Sequence, residues 1–232
     1  MGCRGSRTGT EENGFVVGCE ARLWGAQMSP QAVEAAVYKA MANGVLTEAR
    51  FKKVTSALDF RGSPDLLESF RTSETAYDGH KLLTFSLLHS AGTELEKAAA
   101  LWDAQDLSLS EEMSKSEAEA FIQQLVSACL DPIPMEITPS ADFSRDRVQT
   151  WLSNLKQKKG KFAKDLVAVC LGTADKLTKA GFLHTIGHNA QANVTNPAAI
   201  RARMEEMKMM PAKFASAFSG SFTTNLATNN PS

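Results

Sequence analysis

Apolar residues recur along this chain at the three- and four-residue spacing of helices, in short runs that start at recognisable caps and stop at polar turns. Ser29 and Pro30 form an N-cap and first-turn pair. After them Val33, Val37 and Met41, with Ala36 and Ala40, make one buried stripe ending at Asn43 and Gly44. Leu46 follows as a short extended apolar residue, and Thr47 caps a helix carrying Phe51, Val54 and Leu58. Ser63, Pro64 and Asp65 open another helix with Leu66, Leu67 and Phe70 inward. Asp78 and Gly79 mark its turn, and Leu83 and Phe85 are expected to supply the short strand. In the third unit Thr93 and Glu96 form a capping box ahead of Leu95, Ala98, Ala99, Leu101 and Trp102. Met113 is its extended residue, and Ser114 with Glu117 opens a helix that Asp131 and Pro132 stop.

Residues 131–143 hold three prolines and form the clearest connection in the chain. Beyond them Ser144 caps a helix through Val148, Trp151, Leu152 and Leu155, residues 156–161 read as a basic turn around Gly160, and Phe162, Leu166, Val169 and Cys170 carry the next helix. Leu177 and Thr178 read as strand and cap of a fourth unit, with Phe182, Leu183 and Ile186 in its exit helix. Asn196 and Pro197 open a last helix to about Met210, with Ile200, Met204 and Met207 on one face. The expected organisation is a tether over 1–28, a lobe over 29–130, a linker over 131–143, a second lobe over 144–210 and a tail over 211–232. In the tail Phe214, Phe218 and Phe222 stand four apart, the spacing of a short amphipathic turn.

Composition narrows the function classes. With 232 residues, 43% of them hydrophobic, and a formal net charge of -1, the chain buries a full core but offers no excess of positive charge for nucleic acid. It has no apolar run near 18 residues. The four cysteines (Cys3, Cys19, Cys129, Cys170) share no CxxC spacing, and Cys129 and Cys170 sit among apolar residues as buried thiols do. No nucleophile elbow, phosphate-binding loop, dinucleotide fingerprint or HExxH is present, so the expectation is a binding protein and not an enzyme. His184 and His188 have metal-ligand spacing but no third ligand, and read as a surface pair. The lysines at 156, 158, 159, 161 and 164 read as a solvated face.

Two motifs carry chemistry. The start MGCRGS matches the N-myristoylation pattern, with Gly2 as acceptor and Cys3 beside it as a palmitoylation site. One myristoyl chain binds membranes marginally, at about 10⁴ M⁻¹, and a second chain makes the anchoring stable, so the expected location is the cytoplasmic face of a membrane. The second motif is the loop of the third unit. Counted from Asp106 as first residue, Asp106, Ser108 and Ser110 stand at positions 1, 3 and 5, the Glu112 carbonyl at 7, Ser114 at 9 and Glu117 at 12. These oxygen donors have the spacing of a calcium loop ending on a bidentate carboxylate. The sixth position is Glu111 in place of glycine, and a side chain there bears a positive φ at a cost of roughly 1 to 2 kcal/mol.

Four helix, short strand, helix units behind an acylatable start resemble the four-hand EF-hand family, nearest to the neuronal calcium sensors and the flagellar calcium-binding proteins of protists. The resemblance covers residues 29–187 and implies an all-α fold of paired helix-loop-helix units in two lobes. It implies Ca²⁺, held weakly at Asp106, Ser108, Ser110, Glu112, Ser114 and Glu117, and a partner that is an apolar helix or peptide taken into a groove. The other three loops lack ligand carboxylates. Lys39, Met41 and Arg50 fill positions 1, 3 and 12 of the first loop, Leu87 the twelfth of the second, and Gly181 the twelfth of the fourth. The implied function is a membrane-anchored adaptor or weakly calcium-responsive regulator. The alternative is a calcium-independent scaffold of a membrane-associated, cytoskeletal or flagellar assembly.

Overall fold

The computed structural model describes residues 10–24, 28–105, 110–133, 144–188 and 194–207. The protein is mainly α-helical. Its elements begin with α1 (Glu11–Glu20), α2 (Pro30–Ala40), β1 (Val45–Thr47), α3 (Glu48–Ala57), α4 (Pro64–Glu68), β2 (Arg71–Ser73), β3 (Ala76–Asp78) and α5 (Gly79–Leu88). They continue with α6 (Glu94–Asp103), β4 (Glu112–Ser114), α7 (Lys115–Ala128), α8 (Arg145–Leu171), β5 (Lys176–Thr178), α9 (Lys179–His188) and α10 (Pro197–Glu206). The helix starts fall where the caps stand. Ser29, Thr47, Ser63, Thr93, Ser114, Ser144 and Asn196 each accept a backbone N–H of the first turn through the side chain, and the Thr93 and Ser114 boxes are both closed by their glutamates.

Three expectations are corrected. The strand of the second unit is β3, centred on Tyr77, whereas Leu83 and Phe85 lie inside α5. All of Leu82 to Leu88 is buried, so this helix shows no polar face to give its period away. The basic turn around Gly160 does not exist: α8 runs unbroken for 27 residues, about 40 Å. One glycine costs a helix about 1 kcal/mol, too little to end one that packs along α7. Residues 11–20, placed in the tether, form α1, which buries Asn13, Val16, Cys19 and Glu20.

Among the described residues two small sheets organise the packing. In the first, β1 pairs antiparallel with β3, Leu46 opposite Tyr77, and β2 adds a hairpin at the other edge of β3. In the second, β4 pairs antiparallel with β5, Met113 opposite Leu177. Strand pairing therefore joins the third unit to the fourth across residues 131–143. The two halves share one apolar core, in which α2 and α5 pack on α6 and α5 packs on α7. The Tyr38 hydroxyl donates to the Asp103 carbonyl at 3.2 Å along this seam. Helix α10 lies on α8 and against α1, so the N-terminal and C-terminal described helices meet.

That meeting is held by a buried polar node. Arg201, fully buried, donates from Nη1 and Nη2 to the two Glu20 oxygens at 2.7 Å each, from Nε to Asn13 Oδ1 at 2.9 Å, and from Nη1 to the Cys129 carbonyl at 3.1 Å. His89 Nε2 stands 3.1 Å from Glu20 Oε1, close enough for charge pairing though off the line of a hydrogen bond, and its Nδ1 is 2.8 Å from the Phe85 carbonyl. Burial pushes the Glu20 carboxyl up, but the Arg201 guanidinium and His89 outweigh it and hold the carboxyl down at about 2.

Candidate functional site

The third loop is best understood from the four places where a strand runs into a helix. At each, the last strand residue is an N-cap whose side-chain oxygen accepts the N–H three residues on. Arg50 N–H donates to Thr47 at 3.4 Å, Lys81 N–H to Asp78 at 2.9 Å, Glu117 N–H to Ser114 at 3.4 Å and Gly181 N–H to Thr178 at 3.0 Å. Within each strand pair a second feature repeats. A residue with positive φ, Gly44 at 80° and Glu111 at 55°, offers its carbonyl to the first N–H of the partner's helix, Gly79 at 2.8 Å and Lys179 at 3.0 Å. Glu111 thus bears the left-handed conformation expected of it.

Of the sequence-expected ligands, Asp106 and Ser108 lie outside the described residues, as do Gly2 and Cys3. The structure brings Ser110, Glu112, Ser114 and Glu117 together on one rim of a cavity of about 540 Å³ that Gln105 and Lys176 also line. Ser110 Oγ donates to the Glu112 carbonyl at 2.8 Å. Glu117 Oε2 accepts the Ser114 N–H at 2.7 Å, and the Glu112 carboxylate pairs with Lys176 at 2.8 Å across the β4–β5 ladder. All these donors are oxygens, the kind a hard divalent cation takes, yet Glu117 is the sole carboxylate among the four positions that face the loop by side chain or carbonyl. Among the described residues there is no group of three or more His, Cys, Asp or Glu side chains arranged to hold a metal.

Elsewhere the sequence residues take plain roles. His184 and His188 stack at 4.2 Å between centroids on an exposed face of α9. Burial pushes the Cys129 thiol far up and the Cys170 thiol up to about 11, as inert core cysteines require. The lysines of α8 are more engaged than a solvated face implies. Lys158 donates to the Met204 and Glu205 carbonyls at 2.9 and 3.2 Å, and Lys156 and Lys159 pair with Asp131 at 3.2 and 3.6 Å. Among the described residues no helix is long and apolar enough to cross a membrane.

Sequence reasoning missed the Arg201 node and the work of Arg50 and Lys81. A signal for the first was present: Pro197, Ile200, Arg201 and Met204 share one helical face, so an arginine inside an apolar stripe pointed to a buried ion pair. For Arg50 and Lys81 there was only their common offset of three from a cap. Comparison of the chain with protein-family models and with curated proteins returns no match.

Proposed function

We propose that this chain is a binding protein built from four EF-hand-like units in two pairs, held at the cytoplasmic face of a membrane by acyl chains on Gly2 and Cys3, and serving as an adaptor for a protein partner. The observation that carries this reading is the repeated pairing geometry. Both pairs use an antiparallel three-residue ladder, an N-cap at the end of each strand, and a positive-φ carbonyl bonded to the partner's helix. The partner's apolar surface is the interior closed between α6, α7 and α9, where Trp102, Phe121 and Phe182 pack with centroids 5.5 to 6.2 Å apart. Splaying of those helices would present these rings to an amphipathic helix.

The third loop makes the adaptor weakly calcium-responsive. Its ligands include several neutral serines, and ligand charge sets affinity, so the dissociation constant falls at the weak end of the range, about 10⁻⁴ to 10⁻³ M. A second reading, the calcium-independent scaffold, is favoured by one observation: Glu117 and Ser110 already satisfy Ser114 N–H and the Glu112 carbonyl without an ion. Titration calorimetry with the purified protein separates the two. Heat at submillimolar to millimolar calcium that disappears in Glu117→Gln supports the responsive adaptor, and no heat leaves the scaffold. For the anchor, Gly2→Ala is expected to move the protein from membranes to the soluble fraction, and full retention would rule the acyl anchor out.

A further inference from the structure

We propose that Arg50 and Lys81 are resident cations that fasten the entering helix of the first and second units to the exit helix, so that the first half holds its shape without a divalent ion. Each stands three residues beyond its cap, in the first turn of the exit helix, and each reaches back across the loop. Arg50 Nη1 donates to the carbonyl of Ala40, the last residue of α2, at 3.2 Å. Lys81 Nζ donates to the carbonyl of Ser69, the cap at the end of α4, at 2.6 Å, and lies 5.7 Å above the centre of the Phe70 ring. Carbonyls at a helix end have no partner within the helix, and the end carries the negative pole of the helix dipole, so a cation is the matching group. The second loop holds another: Arg71 donates to the Glu74 carbonyl and, from Nη2, to the Tyr77 hydroxyl at 2.5 Å, inside the β2–β3 hairpin.

Glu117 occupies the corresponding place in the third unit. A carboxylate is an acceptor only, so it cannot bond the carbonyl end of a helix unless a cation stands between them. Gly181 in the fourth unit offers no side chain at all. Read with the EF-hand-like proposal above, on which this part rests, any response to a divalent cation is confined to the second half, and the first half is a fixed platform. The fastening itself rests on the contacts alone.

Amide hydrogen exchange on the full chain, in calcium and in chelator, tests this. Protection over residues 29–88 should be the same in both, while any change should lie within 110–188. Lys81→Met should speed exchange at the end of α4 and in β2 by about five-fold or more, Arg50→Met should act more weakly at the end of α2 because it is exposed, and Lys81→Arg should restore protection. Lys81→Glu should lose protection in chelator and regain part of it in millimolar calcium. Unchanged exchange in Lys81→Met, or a calcium effect within 29–88 of the unaltered protein, overturns the proposal. Absence of any calcium effect within 110–188 leaves the fastening intact and counts against the calcium reading instead.

Discussion

Thr47 and Ser114 stand at the same point in the two strand pairs, as do Asp78 and Thr178, yet three residues further on the side chains are Arg50 and Lys81 in the first pair and Glu117 and Gly181 in the second. The backbone frame is common, and at this one position the side chain is cationic in both units of the first pair, a carboxylate in the third unit and absent in the fourth. In the first pair the exit helices supply positive charge to the ends of the entering helices. In the second, Glu117 accepts the backbone N–H of its own cap, Ser114. The difference teaches that the frame does not depend on the side chain at the third helical position: caps, ladder and positive-φ carbonyl build it in both cases.

The halves can be compared only if they fold as one body, and the Arg201 node is where that is most easily broken. Arg201→Met should destabilise the whole protein by about 3–5 kcal/mol, because it leaves Glu20 buried with its main counter-charge gone. The double variant Arg201→Met with Glu20→Leu should be less destabilised than Arg201→Met alone. Denaturant unfolding followed by Trp24 fluorescence for one half and Trp151 for the other, each in a background lacking the remaining tryptophans, checks both. Two separated transitions in the unaltered node would show the halves to be independent bodies.

Acid acts on the same node. The folded Glu20 carboxyl titrates at about 2, below its ordinary value of 4.5. Its contribution to stability is therefore complete above the unfolded value and is lost as pH falls from about 4.5 toward 2. Glu20→Gln should remove that part of the acid dependence, measured as the slope of unfolding free energy against pH in this window. A slope identical to that of the unaltered protein would exclude Glu20 as its source.

Much of the frame was legible in the sequence because caps are local. Thr47, Ser114 and Thr178 announce a helix start by residue type and position, and Met113 and Leu177 are single apolar residues between polar neighbours, as a three-residue strand with one buried position allows, while Leu46 follows an exposed apolar residue, Val45. Tyr77 is hidden by LLTFSLL beside it, which is more apolar, and a helix buried on all sides cannot be told from a buried strand by periodicity. Gly160 misled because propensity is weak against packing along α7 and α10. The partners of Arg201, though not its place on a buried face, and the two fastening cations were illegible for another reason. Each joins residues whose meeting depends on the tertiary fold: Arg201 and Glu20 are 181 positions apart.

Whether the two ladders bear equal weight in the core is sharpened by Leu46→Ala and Leu177→Ala. Each leucine faces its cross-strand partner and is almost wholly buried, at 0% and 2% exposure. Each truncation should cost about 2–4 kcal/mol by lost burial and cavity formation. Equal costs within about 1 kcal/mol support equivalent ladders. A cost near zero at Leu177 would mean that the second ladder is an ornament of α8 and α9 and not a pairing element.

The smallest effect is the most pointed, because the two pairs should respond with opposite signs at one position. Gly44 and Glu111 both carry positive φ, at 80° and 55°, and both give their carbonyl to the partner's helix. An L-residue in this region costs about 1–2 kcal/mol, and glycine escapes the cost at the expense of more unfolded-state freedom, about 0.5–1 kcal/mol. Glu111→Gly should therefore stabilise, by about 0.5–1 kcal/mol. At Gly44 the substitution Gly44→Ala meets strain and a steric contact together, since the added Cβ would lie 2.8 Å from the His80 ring. It should destabilise by about 1–2 kcal/mol, and Gly44→Ala with His80→Ala should recover the steric part only. Both shifts are read from denaturant midpoints with the slope unchanged. If Glu111→Gly destabilises, the Glu111 side chain is bound into the loop more strongly than the backbone is strained, and the third loop is closed by the protein itself, as the first two are.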